Sequence, residues 1–150
     1  MKTSEVFPHL WRAVRAIMAE VQPQLRQSNL SVRSFFLLSK IEECCYPAQL
    51  AEELFMPPPT VSQVLRELEE LHYIKREVEQ ADLRRYRLSL TPIGVKMLAL
   101  VQEAIGRVVD QRCVRVSRSE MKSLVQVLTV LEAKEDGPAQ KPRARKNGSN

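Results

Sequence analysis

Two groups of side chains in this 150-residue chain have types and spacing suited to chemistry. Arg84 and Arg85 stand together in "ADLRRYRLSL", between two segments with alternating polarity. Thr60, Ser62, Gln63 and Arg66 fall on the polar face of "MPPPTVSQVLRELEE", Met56 to Glu70. Short hydroxyls suit phosphate oxygens, a glutamine amide pairs bidentately with adenine, and guanidinium groups are drawn into the negative potential of a minor groove. This is the chemistry of reading a duplex. Catalysis has little to work with. His9 and His72 are the only histidines, they fall on different elements, and neither sits in a metal-ligand pattern. Four glycines are too few for a phosphate-cradling loop. No enzyme, metal or cofactor is expected.

Cys44, Cys45 and Cys113 form no CxxC and are odd in number. Neighbouring cysteines do not easily bridge each other, so small buried hydrophobes are the expectation. Redox sensing through Cys44 or Cys45 is the alternative. The formal net charge of +5 is misleading as a signal. Lys141, Arg143, Arg145 and Lys146 supply most of it, in a 137–150 segment that reads as a basic disordered tail. Residues 1–136 hold 19 basic and 18 acidic groups, so a nucleic-acid reading rests on local motifs. No apolar run reaches membrane-span length and no signal-peptide core is seen, which makes the cytoplasm the expected compartment.

Period and punctuation supply the elements that position these residues. Val6, Leu10, Val14, Ile17, Val21 and Leu25 form one helical stripe over about 4–28. Ser31 caps a second helix carrying Phe35, Leu38 and Ile41, and Pro47 opens a short third one with Leu50 inward. Val61, Val64, Leu65, Leu68 and Leu71 are the buried stripe of the fourth. The period then becomes two: Ile74, Arg76 and Val78 face one way, Tyr86, Leu88 and Leu90 return, and Gln80 to Arg84 make the turn. Thr91 and Pro92 restart a helix with Val95, Leu98, Val101, Ile105 and Val108 inward and a bend at Gly106. Ser117 and Glu120 fit a capping box for the last helix. Two short helices with a tight turn and a following hairpin describe a winged helix-turn-helix, mainly α with a small β-hairpin wing.

Three segments resemble the MarR family of bacterial transcriptional regulators. "DLRRYRLSLTPIG", Asp82 to Gly94, is similar to the family's D-x-R wing, its L-T strand end and the helix with an early Gly. "TVSQVLRELEELHYI" resembles the recognition segment, and "LSVRSFFLL" the second helix. The resemblance implies a single domain over 1–136, with the winged helix at about 32–91 and dimerisation helices at about 4–28 and 92–135. It implies a homodimer that binds a pseudo-palindromic operator of double-stranded DNA, recognition helix in the major groove and wing arginine in the minor groove. Repression is the expected sign. A winged helix used only as a protein–protein adaptor is the other alternative.

By motif position, Pro58, Pro59, Thr60, Ser62, Gln63, Arg66, Arg84 and Arg85 are the candidate DNA contacts, and Asp82 supports the wing tip. Gln63 replaces a frequent basic residue, and Arg66 a common acid. Many family members release DNA when a small phenolic or anionic molecule binds. His9, Trp11, Arg15 and Phe36, with Arg12, Phe35 and Tyr46 nearby, are the candidate lining for such a molecule. The family's cap residue near Pro57 and glycine near Phe55 are missing here. Because a residue before proline avoids helical geometry, Pro57 and Pro58 are expected extended, with Pro58 at the cap and Pro59 first in the helix.

Overall fold

The computed structural model describes residues 2–133; the basic 137–150 segment lies outside them. Two compact units divide at Cys113/Val114. The first holds a 3-10 turn at Thr3–Glu5, then α1 (Val6–Glu20), α2 (Gln22–Gln27), α3 (Val32–Lys40), α4 (Pro47–Glu53) and α5 (Pro58–Glu70). The strands β1 (Ile74–Val78) and β2 (Tyr86–Leu90) follow, and α6 (Pro92–Arg112) closes this unit. The second contains α7 (Arg118–Glu132), opened by the expected Ser117–Glu120 capping box. Among the described residues, no helix is long and apolar enough to cross a membrane.

The single helix expected over 4–28 is in fact two. Val21 leaves helical geometry at φ −89°, ψ 4°, and Pro23 enters α2 in its first turn. A proline there has no N–H to give the carbonyl four residues back, and its ring would press on it. The apolar stripe survives the break, since Val21 and Leu25 are both buried. They join Phe35, Leu37 and Leu38 of α3, Leu50 of α4, the inner face of α5, Ile74 and Leu88 of the hairpin, and Val101 and Ala104 of α6 in one core.

Three helices end in the same way without a glycine. Asn29, Phe55 and His72 have φ of 51°, 50° and 58°. Each follows the cap residue of α2, α4 or α5 and donates to the carbonyl three residues back. The next residue's N–H reaches five back in every case: Leu30 to Leu25, Met56 to Ala51 and Tyr73 to Leu68, at 2.8–3.0 Å. These are Schellman ends, which satisfy carbonyls that the helix leaves over. A side chain in this left-handed geometry is strained against its own carbonyl, by about 1–2 kcal/mol. His72 is exposed and gives up little packing. His72→Gly is therefore expected to raise stability by about 0.5–1 kcal/mol after the greater freedom of glycine in the unfolded chain is discounted. Urea unfolding measures this, and a destabilised variant would show that the imidazole holds something at the helix end.

The hairpin is antiparallel, pairing Ile74 with Leu90, Arg76 with Leu88 and Val78 with Tyr86. This is the register required by the alternation of the two strands. α6 starts where expected, Thr91 Oγ1 accepting from the Gly94 N–H at 3.1 Å. Its inward face differs by one residue from the expected stripe. Gly94, two turns before Val101, is buried and Val95 is about half exposed. The helix also runs unbroken through Gly106.

Candidate nucleic-acid interface

α5 begins under its three prolines, one residue earlier than expected. Pro57 is the cap, extended at φ −58° and ψ 138°, and Pro58 and Pro59 are the first two helical residues. Pro57 has no side-chain cap to offer, but its carbonyl accepts the N–H groups of Thr60 at 2.9 Å and Val61 at 3.1 Å. The first amides of a helix have no partner within it, so prolines at these positions remove donors that would otherwise be left over. Pro58 brings its own near-helical φ, which offsets the bias that Pro59 imposes on it.

Val61, Val64, Leu65 and Leu68 are buried, which fixes how α5 is rolled on the core. Pro58, Pro59, Ser62, Gln63 and Arg66 are thereby exposed, and Thr60 is half-buried. Gln63 Nε2 donates to Glu67 one turn on, at 3.2 Å. At the far end Glu69 turns to the hairpin, its carboxylate 2.6 Å from Arg76 Nε. The Arg76 guanidinium lies over the Tyr86 ring, 4.6 Å from its centroid. Through Glu69, the end of α5 is therefore bound to the wing.

At the wing tip, Asp82 Oδ1 accepts the Arg84 N–H at 3.0 Å and the Asp82 carbonyl accepts the Arg85 N–H at 2.9 Å. Leu83, Arg84 and Arg85 are all exposed. The two arginines differ in their partners. Arg85 folds back over Tyr46, its Cζ 4.5 Å from the ring centroid, and the Tyr46 hydroxyl donates to the Glu79 carboxylate. That hydrogen bond, and secondarily burial, raises the Tyr46 phenol above its usual pKa, so at neutral pH it is a donor. Tyr46, expected to help line a ligand pocket, lies beneath the wing with these partners. Contacts 33 residues apart leave no mark on local spacing.

Of the residues expected around a small molecule, Trp11, Arg15 and Phe36 line one cleft of about 490 Å³ between α1 and α3, with Met18 and Val32 behind them. His9 is not in that lining; its Nδ1 lies 3.4 Å from the Arg12 guanidinium. Cys44, Cys45 and Cys113 are half-buried and outside any disulfide. Arg87 is held above its usual range, first by a hydrogen bond to the Cys45 side chain. Among the described residues no cluster of His, Cys, Asp or Glu could hold a metal ion.

Residues 32–85 match the MarR family model, from the start of α3 to the wing tip. A transcriptional regulatory protein named for the hcr operon of Thauera aromatica is 33% identical over 79 residues, which are 53% of this chain. The chain spans about half the length of that relative, 48%. Among solved structures, Staphylococcus aureus MarR in complex with salicylate and kanamycin superimposes with a TM-score of 0.74 at 20% identity, covering 86% of this chain and 89% of that one. The S. aureus MepR–DNA complex gives 0.60 at 23% identity, covering 83% and 96%. At such identity the likeness is one of fold, and the fold is the winged helix-turn-helix of MarR proteins.

Proposed function

From the premise that residues 32–85 are a MarR-family segment, a family of transcriptional regulators, we propose that this chain binds duplex DNA and represses transcription as a homodimer. α5 enters the major groove and Arg84 the adjacent minor groove. The observation that carries this reading is the exposed row of Pro58, Pro59, Ser62, Gln63 and Arg66 on one face of α5, beside an arginine-tipped wing tied to that helix. Thr60, half-buried in the first turn, is the remaining candidate contact. The DNA-bound fold of MepR and the regulatory role named for the T. aromatica relative support it.

The dimer rests on apolar side chains that the single chain leaves in water. Phe7, Trp11 and Val14 are exposed on α1, and Leu124, Val125, Val127, Val130 and Leu131 on α7. Exposed apolar surface of this extent marks an interaction site. Residues 1–136 work as one domain, the terminal helices dimerising and the winged helix reading DNA. Two-fold symmetry then demands an inverted repeat, with half-sites about 10 base pairs apart. The α1–α3 cleft offers Arg15 to an anionic phenol of the salicylate class, and such a molecule releases the DNA.

Selection of duplexes from a random-sequence library by the full chain, at physiological salt, tests the reading. An inverted repeat should emerge, and sedimentation should give a dimer at micromolar concentration. Failure to enrich any sequence or to hold duplex would leave the adaptor role, and a monomer would remove the dimer.

A further inference from the structure

Tyr46 stands between α3 and α4 as the cap residue of α4, extended at φ −117° and ψ 139°. Two side chains from opposite ends of the wing loop converge on it. Glu79, just after β1, accepts from its hydroxyl; Arg85, just before β2, covers its ring. Glu79 and Arg85 are themselves joined across the mouth of the loop, the Glu79 N–H donating to the Arg85 carbonyl at 3.0 Å. One residue before Tyr46, the Cys45 carbonyl accepts the Leu88 N–H at 2.8 Å. The joint between α3 and α4 therefore grips the hairpin at one backbone point and two side-chain points. On the α5 side, Glu69, Arg76 and Tyr86 hold the strands.

A two-stranded hairpin is marginal by itself, and its loop is the softest part. An arginine at such a tip gains affinity only to the extent that its position is set before binding. The strand contacts to α5 do not reach the loop; the Tyr46 contacts do. They end at Arg85, the residue next to Arg84.

We propose that Tyr46 is a positioning residue for DNA binding, which sets the place of Arg84 by holding Glu79 and Arg85, and that Arg85 acts through Tyr46 instead of on the DNA. The proposal rests on the DNA-binding reading above. It differs in assigning a residue outside the helix face and the wing, and in dividing the two arginines between a contact and a brace.

A double-mutant cycle tests it on the duplex selected by the wild-type chain. Tyr46→Leu is expected to weaken binding about tenfold in the wild-type background and less than about twofold when Arg84→Ala is already present. Combined with Gln63→Ala on α5, its effect should remain the full one. Tyr46→Phe keeps the ring beneath Arg85 and loses the bond to Glu79, so it should fall between and serves if the leucine variant folds poorly. Equal losses in all backgrounds would make Tyr46 a general support and overturn the proposal, as would no loss at all. Amide exchange at Glu79 and Arg85, measured without DNA, should quicken in Tyr46→Leu and Tyr46→Phe. Unchanged exchange would remove the latch whether or not the chain binds DNA. A chain that selects no duplex but shows the quickened exchange would keep the latch, lose the functional reading and overturn the role assigned to Tyr46.

Discussion

Arg84→Ala is expected to weaken binding to the selected duplex about tenfold and to lower the slope of log affinity against log salt by about one per wing. Arg84 is exposed at the tip, and its backbone is fixed by the Asp82 carboxylate, which accepts its N–H at 3.0 Å. On the DNA-binding reading, a guanidinium so placed would displace counterions condensed on the DNA, and that displacement is what the salt slope counts. Arg84→Lys should keep most of the slope and lose part of the affinity, because an ammonium is bulkier in hydration and lacks the planar fork. The fold should be untouched, since no core residue changes. A salt titration in which Arg84→Ala and wild type run parallel would deny the wing its electrostatic role.

Gly94→Ala is the substitution with the largest expected effect on stability. A Cβ at this position would sit 2.0 Å from the Tyr73 carbonyl oxygen and 2.8 Å from its carbon. Both partners are backbone, so no flexible side chain can swing away. The crowded carbonyl is also occupied, accepting the Thr91 N–H at 3.0 Å, and the Thr91 hydroxyl donates to His72 O at 2.5 Å. Moving α6 to admit a methyl group would break these bonds and separate the helix from the start of β1. Overpacking of this kind costs about 3 kcal/mol, which lowers the melting temperature by about 10 °C for a chain of this size. Thermal unfolding followed by circular dichroism reads it directly. A melting temperature within a degree or two of wild type would mean that the approach is looser than the structure has it.

These two residues were visible in the sequence for different reasons. Arg84 stands in a charged turn between alternating segments, and alternation survives any tertiary environment that buries one face. Gly94 matched an early glycine of the MarR helix, but the need for it lies in the Tyr73 carbonyl, 21 residues away and on another element. Arg85 shares the charge and the turn of Arg84, and only the D-x-R motif set Arg84 apart. Only the fold sends Arg85 to Tyr46.

What this sequence determined alone is what four or five consecutive residues can express. Ser31, Thr91 and Ser117 cap their helices because a hydroxyl reaches the N–H three residues on, and the α5 stripe and hairpin register follow from periods of 3.6 and 2. The winged helix-turn-helix was legible from these signals in order. What the tertiary structure decided are the places where two distant segments compete for one geometry. Phe55 and His72 take left-handed conformations that their residue types disfavour, because the chain must turn there to bring α5 and β1 onto the core. His9 falls outside the cleft that holds Trp11, Arg15 and Phe36, and Glu69 and Tyr46 hold the wing. Each depends on the separation of atoms far apart in the chain, and residue spacing carries no measure of that distance.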